Sequence, residues 1–109
     1  MSDLTTVRIG PVTYRVERVL RLMGNNGDGS STWLNGRVRY EKALIELEQE
    51  LPAEVETIAI VHEIVHAVLE QAGIDDEPES IVVALGYGLV QVLRDNPELV
   101  ELITTKAEQ

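Results

Sequence analysis

The sequence predicts an α+β fold: a short antiparallel β-meander, then a buried helix and a second helix antiparallel to it. Three observations lead there. The first half consists of short segments rich in β-branched residues, separated by turn dipeptides. The second half opens with an apolar run too long for a strand and without strand-like alternation. The strands come first and the helices after. At 109 residues and 44% apolar content, the chain has the size and composition of one globular domain. Residues 1–51 form its sheet part and 52–109 its helical part.

In chain order, 5–9 and 13–20 read as strands separated by the turn dipeptide Gly10-Pro11. Tyr14 and Val16 fall on the opposite phase to the charged Arg15 and Glu17, which marks an inner and an outer face. Residues 23–31 hold Gly24, Gly27 and Gly29 among Asn25, Asn26, Asp28 and two serines, an exposed loop or long hairpin connection. No Lys-Ser/Thr follows those glycines as in a P-loop, and the spaced oxygen ligands of an EF-hand are missing. Segments 32–34 and 37–40 flank Asn35-Gly36, which favours a tight type I′ turn or a bulge within one longer strand. A last strand covers 43–47, and the residues up to Pro52 end it.

Residues 52–72 read as a helix. Pro52 suits its first turn, Glu54 and Glu56 its positive end, and Gly73 the position after its last turn. Its apolar residues cover every side, so it is expected to be the central, buried helix. Residues 73–78 make a short acidic connection. For 79–94, Ile81-Val82-Val83 looks strand-like, but sixteen residues favour a helix. Gly86 and Gly88 weaken it by about 1 kcal/mol each, and a close crossing with a neighbour would account for them. Asn96 and Pro97 read as N-cap and first residue of a final helix through 98–104, followed by a frayed tail at 105–109.

Nine basic and nineteen acidic residues give a net charge of −10, which disfavours binding to nucleic acid or anionic membranes. Arg15, Arg18, Arg21, Arg37 and Arg39 read as solvated strand faces rather than a basic patch. The chain has no Cys, so disulfides, thiolate ligands and a Cys nucleophile are excluded, in keeping with a cytoplasmic protein. Residues 1–10 lack a signal pattern and no apolar run reaches transmembrane length, so neither export nor a membrane span is expected.

The chemistry concentrates in 58–69, where nine of twelve residues are apolar and the other three are His62, Glu63 and His66. They spell His-Glu-x-x-His and include both histidines of the chain. On a helix, positions i and i+4 share a face, so two imidazoles at this spacing can hold one metal ion while Glu63 reaches a water. Imidazoles and a carboxylate in a buried helix are costly without partners. The plainer alternative is two core histidines, each satisfied by a local hydrogen bond.

A catalytic zinc takes three protein ligands and keeps one position open. With no further His and no Cys, the third must be a carboxylate: Glu70, Asp75, Asp76, Glu77 or Glu79. Glu70 would stack three ligands on three turns of one helix. Glu79 opens the next helix, and the six connecting residues span the return easily. It has a competing role in a capping box with Asp76, and Glu77 is the reserve ligand. Glu63 would take the proton of a water activated by the metal and hand it to a leaving amine. Tyr40 and Tyr87 are candidates to stabilise the oxyanion. A strand edge beside the helix, 43–47, could bind an extended peptide.

With His62-Glu63-Ile64-Val65-His66 following strands and preceding a helix opened by Glu79, the chain resembles gluzincin-type zinc peptidases, above all the small ImmA/IrrE-like metallopeptidases of bacteria, phages and mobile elements. The helix Glu79-Ser-Ile-Val-Val-Ala-Leu-Gly-Tyr-Gly-Leu followed by Arg94-Asp95-Asn96-Pro97 is similar to short phage-encoded members. The resemblance covers about 37–97 and implies a minimal zincin-like fold, zinc on His62, His66 and Glu79, Glu63 as general base and a protein or peptide substrate. Val83 stands where related peptidases often carry a polar residue. Two other classes compete with a peptidase: a catalytically inactive metal-binding module that engages a partner protein, and a metal-free structural domain.

Overall fold

Gly10 takes a left-handed φ of 57°, and the chain turns there between β1 (Thr6–Ile9) and β2 (Val12–Val19), which pair antiparallel. This is a computed structural model, and it describes residues 4–105. Along β2 the expected alternation holds: Tyr14 and Val16 are buried while Arg15 and Glu17 are exposed. The glycine-rich segment then leaves the sheet as a separate hairpin of β3 (Met23–Asn25) and β4 (Ser31–Trp33). Gly27 and Gly29 supply its positive φ angles, and the side chains of Asn25 and Asp28 accept bonds from the backbone two residues on.

The chain returns as β5 (Gly36–Arg39), passes a 3-10 turn (Tyr40–Lys42) and a left-handed Ala43, and enters β6 (Leu44–Glu48). The main sheet runs in the order β1-β2-β6-β5. It is mixed rather than a wholly antiparallel meander, because β6 runs parallel to β2 and antiparallel to β5. The excursion through the hairpin is the reason. A tight turn after β2 would have laid the next strand antiparallel beside it, whereas the long detour carries the chain to the far edge and back up along β2.

Two expectations change with this topology. Asn35-Gly36 is neither a hairpin turn nor a bulge: β4 pairs with β3, β5 pairs with β6, and neither residue has a positive φ. The dipeptide is the passage from one sheet to the other. The strand at 43–47 is no edge either, since β6 lies between β2 and β5 with Leu44, Ile45 and Leu47 buried. The edge strand beside the helix is β5.

Three helices follow: α1 (Ala53–Gln71), α2 (Glu79–Asp95) and α3 (Pro97–Thr104). Gly73 ends α1 with a φ of 78°. Asn96 precedes α3 as expected, but its side chain donates to the Val92 carbonyl at 2.8 Å instead of capping α3. Of the expected frayed tail, only Thr105 belongs to the described residues, and its backbone N–H and its hydroxyl both bond the Glu101 carbonyl.

The core forms where α1 lies on the sheet: Ile9, Tyr14, Val16, Ile45 and Leu47 meet Ala59, Ile60 and Ala67. Burying each of the larger apolar side chains contributes about 1.5–3 kcal/mol. Arg18 pairs with Glu56 at 3.1 Å and Gln71 donates to the Ile9 carbonyl at 2.7 Å, fixing both ends of α1 to the sheet. Arg37 and Arg39 both pair with Glu46 on the neighbouring strand, and Arg15 pairs with Glu17 on its own, so these cations are matched by acids within the sheet.

On its other side α1 carries α2. Arg94 meets Glu54 at 2.5 Å, Gly86 lies against the backbone of His62, and Glu79 reaches His62 and His66, so the two helices run antiparallel. Gly86 packs against α1, but a Cβ there would stand 3.5 Å from His62 Cα, in ordinary contact, so the crossing leaves room for an alanine and does not demand a glycine. Gly88 has open space around it. α2 buries only Val82, Gly86 and Val90, leaving Ile81, Leu85, Leu89 and Val92 exposed, and α3 buries no residue. Among the described residues no helix is long and apolar enough to cross a membrane.

The two glycines of α2 should respond oppositely to substitution. Gly88→Ala removes backbone freedom from the unfolded chain without a clash and should stabilise by about 0.5–1 kcal/mol. Gly86→Leu must push α2 off α1 and should destabilise by about 1–3 kcal/mol. Urea denaturation midpoints of the two variants test this pair.

Candidate metal centre

His62 and His66 sit one turn apart on α1, where the i to i+4 spacing brings their rings edge to face with centroids 4.9 Å apart. Glu79, first residue of α2, points one carboxylate oxygen between them: Oε1 lies 3.0 Å from Nε2 of His62 and 3.1 Å from Nε2 of His66. One ligand atom from each of the three residues lies within 4.8 Å of the other two, and the group could hold a metal ion. A tetrahedral ion bound at about 2.0–2.2 Å sets its ligands about 3.3 Å apart, so the two Nε2–Oε1 separations need only slight adjustment. The donor set of two imidazoles and a carboxylate is also one that zinc accepts.

The competing role for Glu79 is not realised. Pro78 precedes α2 without any side-chain cap, so no capping box with Asp76 forms. Glu70, Asp75 and Asp76 are exposed and stand outside the group. Glu77 is near, but it faces the other ring nitrogen: its Oε1 is 3.8 Å from Nδ1 of His66.

Glu63, between the histidines in sequence, is the buried charged residue at 7% exposure. Burial, and then the negative charge of Glu79, push its carboxyl up to about 8. The room it occupies is made by Gly36. A Cβ on that residue would come within 3.1 Å of Glu63 Cγ and 3.2 Å of both Oε2 and Leu47 Cδ2. A glycine inside a strand marks such a close approach, and that signal was available in the sequence behind the more obvious turn propensity of Asn-Gly. His62 is held below its ordinary value by burial, with Glu79 acting in the opposite direction and His66 adding to the fall. A neutral imidazole is the form that binds metal.

These groups open onto a cleft of about 710 Å³ bounded by β5 and the 3-10 turn on one side and by α2 on the other. Trp33, Val38, Tyr40, Val83 and Tyr87 line it. Both tyrosines singled out as oxyanion candidates therefore stand on its wall. Tyr40 is pushed up by burial, then by the charges of Glu70 and Glu63, by Tyr14 and by Glu77. Trp33, 64% exposed on β4, was not anticipated as a wall residue. It reaches the cleft through the hairpin, a placement that no local pattern specifies. Comparison of the chain with protein-family models, with curated proteins and with solved structures gives no match.

The buried carboxyl makes metal-free stability depend on pH. Unfolded, Glu63 titrates near 4.5; folded, near 8. Between these values the native state binds more protons than the unfolded state, so stability falls as pH rises, by a few kcal/mol across the window in order of magnitude. His62, lowered from 6.5, works in the opposite direction below that pH. The comparison is therefore between metal-free wild type and Glu63→Gln, which share His62. Wild type should lose more stability between pH 5 and pH 8 than the variant. Parallel urea midpoints across that range would remove Glu63 as the buried titrating group.

Proposed function

We propose that this chain is a zinc-dependent metallopeptidase of minimal, zincin-like build, acting on a protein or peptide. The observation that carries the reading is the convergence of His62, His66 and Glu79 beside a dehydrated Glu63, all facing one cleft. His62 and His66 would give Nε2 and Glu79 a carboxylate oxygen to zinc, leaving one tetrahedral position open. Zinc held there supplies Lewis acidity, which acidifies water and polarises a carbonyl.

The remaining steps belong to the protein. Glu63 accepts the proton of the attacking water as the new C–O bond forms. It then delivers that proton to the amine nitrogen as the C–N bond breaks. Its surroundings suit both roles. Burial and Glu79 favour the protonated form, while a cation beside it favours the carboxylate, which sets its basicity between the two. Tyr40 and Tyr87 are the O–H donors on the cleft wall for the developing oxyanion. The free edge of β5 offers backbone groups to an extended peptide, which would add as a further strand. Gly36, Arg37 and Val38 of that strand line the cleft.

Purified protein should bind one zinc per chain. His66→Ala should lose it, and Glu63→Gln should keep it while hydrolysis of a peptide library falls at least about a hundredfold, the contribution of a general base. Zinc bound with no hydrolysis by wild type would leave a metal-binding module without catalysis, and absence of zinc after loading would remove the metal reading altogether.

A further inference from the structure

From residue 70 to residue 81 every side chain is exposed except that of Glu77. The apolar Ile74 and Ile81 stay outside, at 43% and 50% exposure, while an acid turns inward. Its Oε2 is buried without a hydrogen-bond partner. Its Oε1 lies 3.8 Å from Nδ1 of His66, whose other nitrogen faces Glu79 at 3.1 Å. Pro78 follows directly and holds the backbone of Glu77 out of the helical region, so the residue approaches His66 from the extended connection rather than from α2. Val83, one turn into α2 on the cleft wall, offers no acceptor.

We propose that Glu77 is the positioning residue for His66: its carboxylate takes the Nδ1–H and thereby presents the Nε2 lone pair to the group formed with His62 and Glu79. A carboxylate with a buried oxygen that has no donor is costly to keep, and the imidazole Nδ1 of His66 stands 3.8 Å from its other oxygen, Oε1. A shift of about 1 Å closes 3.8 Å to a charge-assisted bond of normal length. The bond selects one of two tautomers and fixes the ring against rotation about its stem. Carboxylates that bear on the far nitrogen of a metal-binding histidine act in this way. Glu77 is thus a partner of the ring and not itself a ligand, and this assignment rests on the metal-binding reading of His62, His66 and Glu79.

The test combines zinc affinity with nitrogen NMR of the two imidazoles in wild type, Glu77→Ala and Glu77→Gln. Glu77→Ala should bind zinc about 10- to 100-fold more weakly, and Glu77→Gln, whose amide oxygen still accepts a proton, should lose less. In the metal-free protein the His66 Nδ1 resonance should shift in Glu77→Ala while that of His62 stays in place. The folded state of each variant is visible in the same spectra. Unchanged His66 resonances together with zinc affinity within about twofold of wild type overturn the proposal. So does a loss of zinc in Glu77→Gln as complete as in Glu79→Ala, which would make Glu77 a ligand. If wild type binds no zinc, the metal reading falls by itself, and the metal-free resonances still decide whether Glu77 holds His66.

Discussion

The arrangement depends on one constraint: α1 carries a carboxyl and two imidazoles through the layer between a sheet and a second helix. Glu63 is removed from water there, and Glu79 stands close enough to push it further toward its neutral form. Glu77 adds a further acid, part-buried, on the far side of His66. In a chain of net charge −10, this is a concentration of acceptors and negative charge around two rings with few donors. Like charges gathered around a buried carboxyl repel unless a cation joins them. The physical demand of the site is for positive charge, which a metal ion held by His62, His66 and Glu79 could supply.

The walls on either side of α1 set the dimensions of that place. On the sheet side, a side chain at Gly36 would meet both Glu63 and Leu47, so its absence determines how close β5 comes. On the other side, Gly86 and Val82 are buried, Gly86 against His62 of α1, and the exposed Arg94–Glu54 pair lies at the far end of α2. With α2 packed antiparallel on α1, its first residue lands at the histidines. The exposed Arg94–Glu54 pair marks that alignment and contributes little energy to it in water. The reach of Glu79 therefore follows from helix packing, and the short connection before it has only to span the gap.

What the sequence made legible is what depends on local geometry. The shared face of His62 and His66 follows from helical spacing alone, and the bounds of α1 follow from Pro52 and Gly73. Glu79 could be singled out because a short connection limits which carboxylates can return to the histidines. Pairings set over long distance were not legible. The parallel match of β2 with β6, and hence β5 as the edge, depends on where the hairpin sends the chain. Asn35-Gly36 carries a strong turn propensity, yet its glycine serves a contact with Glu63, which lies 27 residues further along the sequence. The sequence leaves Glu77 as the reserve ligand behind Glu79, whereas the structure turns the two toward different nitrogens of His66. Which ring nitrogen each one faces is a property of side-chain direction, and that appears only once the connection has a path.

The exposure of the site bears on whether a metal there would be structural or catalytic. Zinc that holds a fold together is usually closed by four protein ligands, commonly with thiolates. This chain has no Cys, and its group offers three ligands. The third of these, Glu79, is 62% exposed at its side chain and lies at the cleft wall. The fold also has other ties at this level: α1 is joined to the sheet by the core, by Arg18–Glu56 and by Gln71–Ile9. A purely structural ion would be expected to sit deeper and to replace contacts that the fold lacks. An open ligand set beside a dehydrated carboxyl, facing a cleft with a free strand edge, is better suited to bringing a water, a base and a carbonyl together. These features favour a peptidase over a module that binds metal without catalysis.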